Sequence, residues 1–442
     1  MKTRMFVSTL ILVFAVLIIA VSCAPGKKAN VAQQDEALYG IADDLDWSRW
    51  RGPNGDGISM ETGWDPEALE GGPKIVWKTN VGLGYSNAVI KGKYLYTMGN
   101  EDGEDNIYCL NGETGKEVWR YSYPHQHFGG YGGATQSTPI VEGMYVYALS
   151  IEGILLCLEA KNGKLRWKKD LISEYDVVKP YFGFGGSPVI EGDLIILTAN
   201  TSGIALNKKT GEMVWGSDKP PEKLFLDSST GPHYATPVMY DYEGKRYAVI
   251  TSYVGVHSVD VETGKVLWLY KWEPYRNTHV SDPLIFNGKV FIEQFKKMHG
   301  SVLLDIKRGE PKVLWKNQSL SSDVSSPVLI NGYIYGCAGG PYYSHGLLRC
   351  LDVKTGEVMW KEDLETVTIT LMAADGKLII LEDDGTLRIA DATPSSYKEI
   401  SSGNVPVGEG QSRKFWTPPV LCNGKIYCRN YTGDLVCIDV SK

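Results

Sequence analysis

A nine-residue unit that returns along most of the chain limits the folds open to it more than any other feature. Its clearest copy is Asp352-Val353-Lys354-Thr355-Gly356-Glu357-Val358-Met359-Trp360. Further copies run from Asn111 to Trp119, Glu159 to Trp167, Asn207 to Trp215 and Asp260 to Trp268. A stretched version runs from Asp305 to Trp315, and Trp77 holds the final position behind a different lead-in. The residues Trp77, Trp119, Trp167, Trp215, Trp268, Trp315 and Trp360 are spaced by 42, 48, 48, 53, 47 and 45 residues.

Each unit has a second half. A Ser/Thr-Pro-like start leads into apolar residues, as in Ser137-Thr138-Pro139-Ile140, Ser187-Pro188-Val189, Thr236-Pro237-Val238, Asp282-Pro283-Leu284 and Ser326-Pro327-Val328. A Gly turn and an alternating strand follow, and Asn-Gly at such a turn is a strong hairpin signal. Each unit therefore predicts four antiparallel strands, the innermost after the Pro and the outermost ending in Trp. In the Asp-x-x-Thr-Gly turn the acid accepts turn N–H groups and Gly supplies the positive φ. One such sheet cannot bury both faces, whereas a ring of them can. Two weaker units continue the series. One runs from about Ile369 to Ile400 with Asp391 in the acid position, and the other from Thr417 to Lys442. The last lacks an outer strand, which Lys74 to Lys78 supplies from the start of the chain. The fold class is all-β, an eight-bladed β-propeller of four-stranded antiparallel blades closed by that N-terminal strand. Seven blades is the alternative, with the weak seventh unit as an insertion.

The propeller is expected over residues 47–442. Residues 1–23 read as a lipoprotein signal peptide with its lipobox. Lys2 and Arg4 precede the apolar run Phe6 to Val21, and Ala20-Val21-Ser22-Cys23 places small residues before a cysteine. Cys23 is the expected lipidation site and membrane tether. An uncleaved anchor or plain secretion are the alternatives. Ala24 after the cysteine points to an outer-membrane destination facing the periplasm. Residues 24–46 are polar and read as a flexible tether. The formal net charge is -7 with no basic block, which argues against a nucleic-acid partner.

The Trp-bearing unit resembles the tryptophan-docking motif of pyrroloquinoline-quinone dehydrogenases. The segment Trp50-Arg51-Gly52-Pro53-Asn54-Gly55-Asp56-Gly57-Ile58-Ser59, with Val76-Trp77-Lys78 and Gly84-Tyr85-Ser86, resembles the opening of the exported quinoprotein-like propeller family. That family includes the propeller lipoprotein of the outer-membrane barrel-assembly machinery. The resemblance is specific for fold and weak for activity. It implies either a scaffold or a quinone enzyme. Quinone enzymes of this kind bind pyrroloquinoline quinone with calcium and carry a vicinal cysteine pair. No Cys-Cys pair stands in this chain. No acidic cluster matches the calcium site residue by residue. No cofactor is therefore expected, and pyrroloquinoline quinone with calcium is the alternative.

Cys109, Cys157, Cys350 and Cys437 share one repeat position and read as small core residues. Cys337, Cys422 and Cys428 leave a disulfide permitted but not required. His125-Gln126-His127 lies in an aromatic, Gly-rich insert. Its His-x-His spacing suits a metal, but no completing carboxylate is evident, so a turn or rim role is favoured. Asn54-Gly55-Asp56-Gly57 lacks the acid spacing of a calcium loop and reads as a tight turn covering one end of the ring. Tyr85, Gln136, His233, Tyr234, His279 and Asp323 precede inner strands, at the mouth of the central funnel. They form the candidate ligand site, with simple strand capping as the competing reading. No catalytic residue and no metal site are assigned. The leading expectation is a monomeric, non-enzymatic, membrane-tethered scaffold that binds envelope proteins or an extended peptide. Saccharide or small-molecule binding in the funnel and a quinone-dependent oxidoreductase are the alternatives.

Overall fold

In each unit the Thr-Gly turn and the Trp meet across a seam between neighbouring sheets. The computed structural model describes residues 46–125, 134–220, 234–272, 280–294, 300–322, 324–339, 346–408 and 414–442. These form eight antiparallel blades around a central channel. Blade one comprises Val89–Lys91, Tyr94–Glu101, Glu104–Asn111 and Glu117–Pro124. Blades two to six repeat that order, with inner strands at Ile140–Glu142, Val189–Glu191, Val238–Tyr242, Leu284–Phe286 and Val328–Ile330. Blade seven runs from Ile369–Ala374 to Glu399–Asn404. Blade eight takes Val420–Cys422, Lys425–Arg429 and Asp434–Asp439 from the end of the chain and Lys74–Asn80 from its start. Trp77 pairs with Cys437, and Lys74 bridges Asp439 at 2.5 Å. Leu171–Tyr175 is the one helix among the described residues, capped by Asp170.

The Trp residues explain why the blades stay together. Trp77, Trp119, Trp167, Trp215, Trp315 and Trp360 each donate the indole N–H to a turn carbonyl of the next blade, at 2.8–3.1 Å. The ring faces of Trp77, Trp119, Trp167, Trp215 and Trp315 lie on the turn glycine, whereas Trp360 packs on Tyr397 of a turn without one. A Cβ on Gly163 would stand 2.6 Å from the Trp119 ring, and Gly163 also has φ +70. Gly is therefore required there twice over, by conformation and by contact. Trp268 is the exception: it donates to Tyr240 of its own blade at 3.1 Å. The stretched turn of the next blade accounts for this, because Tyr242 occupies the space beside Gly309.

A register shift precedes each of these Trp residues, as between Cys109 and Leu110 opposite the outer strand of blade one. The extra residue bulges outward, so Val118 is 46% exposed while Trp119 is 8% exposed. The bulge turns the Trp toward the next blade. Blade seven keeps the shift but has Ser401 in the Trp position. The Ser401 hydroxyl donates to the Pro66 carbonyl at 2.6 Å, and Pro73 lies against Gly403. The segment before Lys74–Asn80 thus covers the seam that lacks a Trp, with Trp64 and Leu69 in the shared core.

Cys109, Cys157, Cys350 and Cys437 sit in register beside Trp residues as buried thiols, and Cys337, Cys422 and Cys428 are also buried, with none of the seven in a disulfide. Burial pushes the Cys109 thiol up to about 12, which makes it unreactive.

Candidate functional site

The Ser/Thr-Pro starts of the inner strands line one end of the channel, and their side chains link blade to blade. The Asn87 amide donates to Thr138 Oγ1 at 2.9 Å, Thr138 to Ser187 Oγ at 3.0 Å, and Ser187 to Thr236 Oγ1 at 3.1 Å. The Thr236 amide then donates to Asp282 Oδ1 at 2.7 Å, and Asp282 to Ser326 Oγ at 2.9 Å. Each hydroxyl satisfies an N–H two residues before an inner strand, where no ladder partner is available. The chain of bonds needs only an acceptor at each position. Asp282 meets that need and adds a charge.

That charge organises the floor of the site. The Trp50 indole donates to Asp282 Oδ2 at 2.6 Å, and Arg51 Nε lies 3.8 Å from the same oxygen. Arg51 is 4% exposed and also donates to the Asp56 carbonyl at 2.8 Å and the Pro327 carbonyl at 2.7 Å. Burial pushes the Asp282 carboxyl up and Arg51 opposes that shift. Behind it Glu293 is fully buried. Burial raises its pKa to about 8, although the Ser281 hydroxyl donates to it at 3.0 Å.

Trp50 arrives on a segment that closes the other end of the channel. The Trp47 carbonyl accepts from Ile90 of blade one at 2.9 Å, and that of Ser48 from Val141 of blade two at 2.9 Å. Arg51 reaches Pro327 before blade six, and Ile58–Ser59 pairs in parallel with blade seven at Ala373 and Ala374. Glu61 then accepts from Gly424 of blade eight. The turn from Gly52 to Gly57 is tight because a Cβ on Gly52 would stand 2.7 Å from the Trp47 ring. Among the described residues the channel is therefore a blind cavity, open at the end where the inner strands begin.

Aromatic side chains form the walls of that cavity. On the blade-eight side Tyr85 stacks on Trp416, with centroids 5.6 Å apart and planes at 14°. Tyr431 extends this wall at 5.1 Å from Tyr85, and the Lys414 ammonium lies 4.2 Å over the Trp416 ring. Near blades three and four, Phe182 packs on Tyr234 at 5.9 Å. Gln136 donates to the Phe182 carbonyl at 2.9 Å, and the Phe182 amide donates to Tyr234 Oη at 3.0 Å. Tyr181, 57% exposed, carries the aromatic surface outward to the rim. Burial pushes the Tyr85 and Tyr234 phenols upward, so both stay protonated. The Tyr85 hydroxyl is buried without a hydrogen-bond partner.

Of the funnel-mouth residues expected from sequence, Tyr85, Gln136 and Tyr234 line this one cavity. His233, His279 and Asp323 lie outside the described residues, as do His127 and Cys23. Trp50, Phe182, Asp282 and Trp416 also line it and were not placed at the funnel mouth from the sequence. One signal was present: Asp282 stands before Pro where neighbouring units have Ser or Thr. Chemically, the cavity offers stacking faces and a few hydrogen-bonding groups. Its described carboxylate is already held by Trp50, Thr236 and Arg51.

A family model described as outer membrane protein assembly factor BamB matches residues 126–362. The chain is similar to the BamB of Yersinia pestis, 20% identical over 374 residues that cover 78% of each chain. Its fold is similar to the crystal structure of BamB from Moraxella catarrhalis (TM-score 0.60, 15% identity, 83% of this chain and 99% of that one). It is also similar to quinohemoprotein alcohol dehydrogenase from Comamonas testosteroni (TM-score 0.65, 14% identity, 93% of this chain and 84% of that one).

Proposed function

The chain belongs to the family of the outer membrane protein assembly factor BamB, and from that premise we infer that it is a non-enzymatic propeller scaffold of the cell envelope. It serves outer-membrane protein assembly by docking a segment of a partner polypeptide on the face where the aromatic cavity opens. A lipid on Cys23 tethers it to the outer membrane, facing the periplasm, as a monomer. The observation that carries this reading is the cavity itself. Its aromatic walls suit an apolar or aromatic side chain of a docked segment. Gln136, Tyr85 and the rim around Tyr181 suit the polar backbone beside it.

The described lining does not fit a calcium-bound quinone. Such a cofactor needs several carboxylate or amide oxygens around the metal. It also needs cations for its own carboxylates. Asp282 is the one carboxylate in the described lining, and it is fully engaged. Arg51 is taken up by backbone carbonyls and Asp282, and the Lys414 ammonium lies over the Trp416 ring, a single cation at the wall.

Two measurements test the reading together. A photo-crosslinking residue at Gln136 or Tyr181 is expected to capture a protein of the outer-membrane assembly machinery in living cells. Titration with pyrroloquinoline quinone plus calcium is expected to leave the thermal midpoint unchanged, because only a ligand of the folded state raises it. A calcium-dependent rise would overturn the scaffold reading in favour of a quinoprotein oxidoreductase. Saturable binding of a free sugar at the cavity, with no protein crosslink, would overturn it in favour of saccharide binding.

A further inference from the structure

On the same face as the cavity mouth, away from the channel, three side chains meet at the seam between blades one and two. Asp105 begins the third strand of blade one, His125 follows its outer strand, and Glu152 sits in a turn of blade two. His125 Nδ1 is 3.1 Å from Asp105 Oδ1 and 3.1 Å from Glu152 Oε1. The candidate ligand atoms of the three residues all lie within 4.8 Å of one another. The side chains are 8%, 0% and 15% exposed for His125, Asp105 and Glu152. We propose that Asp105, His125 and Glu152 form a binding site for a divalent transition-metal ion, with zinc as the type, that clamps blade one to blade two.

The donor set and spacing both fit. One imidazole nitrogen and two carboxylate oxygens are common zinc ligands. Around a tetrahedral ion with bonds of about 2.0–2.1 Å, neighbouring ligands stand about 3.3 Å apart, so the two edges at His125 need only small adjustment. A buried and a half-buried carboxylate at one point are costly unless a cation balances them. A divalent ion with a neutral imidazole brings the cluster to zero net charge.

Two further observations point into the same space. Asp105 Oδ2 is buried without a hydrogen-bond partner. Tyr123, 6% exposed, turns its hydroxyl toward Asp105, Glu152 and Ser150. A metal would satisfy the Asp105 oxygen, and a water it carries would meet the Tyr123 hydroxyl. The positions are also fixed from behind. Asn100 donates to Asp105 Oδ1 at 3.0 Å, the His125 amide donates to the Gly103 carbonyl at 3.0 Å, and the Glu152 amide donates to Ser150 Oγ at 3.2 Å. Such support is what a metal site needs to hold its ligands in place.

The test uses the full chain, purified without a polyhistidine tag, stripped with chelator and returned to chelator-free buffer. Zinc chloride titration is expected to give one ion per chain, and cobalt(II) is expected to give a visible absorption band that zinc abolishes. Glu152→Gln and Asp105→Asn are each expected to weaken zinc binding by about tenfold or more. Glu152→Gln decides the matter if Asp105→Asn does not fold, because Glu152 is a partly exposed turn residue whereas Asp105 is fully buried in a strand. Uptake of no zinc by the unaltered chain would overturn the proposal. Equal zinc affinity in Glu152→Gln would also overturn it, by placing the ion elsewhere.

Discussion

The perimeter and the channel of this ring are built in different ways. Along the perimeter one device recurs: a bulge, a Trp, and a turn glycine of the next blade beneath the indole ring. In the channel the blades contribute unlike residues at equivalent places, Ser187, Thr236, Asp282 and Ser326 among them. The perimeter tolerates repetition because each seam has the same task. The channel must differ from blade to blade to be more than a pore. Recognition is therefore to be sought where a blade departs from its siblings.

The largest expected effect falls on the perimeter. Trp119→Ala removes a buried ring and an indole bond to the next blade, and should cost about 3–5 kcal/mol in urea unfolding. A much smaller loss would mean that the seams do not depend on the Trp. Next comes the channel, where the effect depends on pH. Glu293 has an ordinary pKa of 4.5 that rises to about 8 in the folded chain. Between those values the unfolded state gives up its proton while the folded state keeps it, so stability falls as pH rises from 4.5 to 8. Glu293→Gln should abolish that slope and stabilise the protein at pH 8 by a few kcal/mol, read from unfolding midpoints at pH 5 and pH 8.

Two glycines sharpen the perimeter half of the comparison. Gly163→Ala places a methyl group against Trp119 in a left-handed backbone and should cost about 2–3 kcal/mol. Gly143 has φ +55 with nothing within 4 Å of a would-be Cβ, so Gly143→Ala should cost only about 1 kcal/mol. Equal losses would show that strain alone accounts for both glycines. The smallest effect is expected in the cavity wall. Tyr85→Phe removes a hydroxyl that bonds to nothing, and should change stability by less than about 0.5 kcal/mol. If a docked segment uses that hydroxyl, the same change weakens its binding severalfold by titration.

The fold was legible because its signals are local and repeated. The turn acids, the glycines and Trp77 to Trp360 all lie within a few residues of what they shape. The bulge was not legible: Val118 and Trp119 read as neighbours on opposite faces, and only the paired strand shows the slip. Tyr85, Gln136 and Tyr234 could be placed because each stands just before an inner strand. Trp50 could not, since it meets Asp282 across 232 residues. Nor could the completion of the His125 cluster, whose carboxylates come from two different blades.

The closing strand carries a consequence for how the molecule is made. Lys74–Asn80 leaves the ribosome long before Asp434–Asp439, its partner in blade eight. At about 5–20 residues per second, the 360 residues between Trp77 and Cys437 take on the order of 20–70 s to synthesise. For all of that time the first strand has an open edge and no native mate. Blades one to seven can assemble in order behind it, but the circle stays unlatched until the final residues arrive. Clipping or delaying the last strand would therefore leave an open arc with two free edges, prone to pair with other chains.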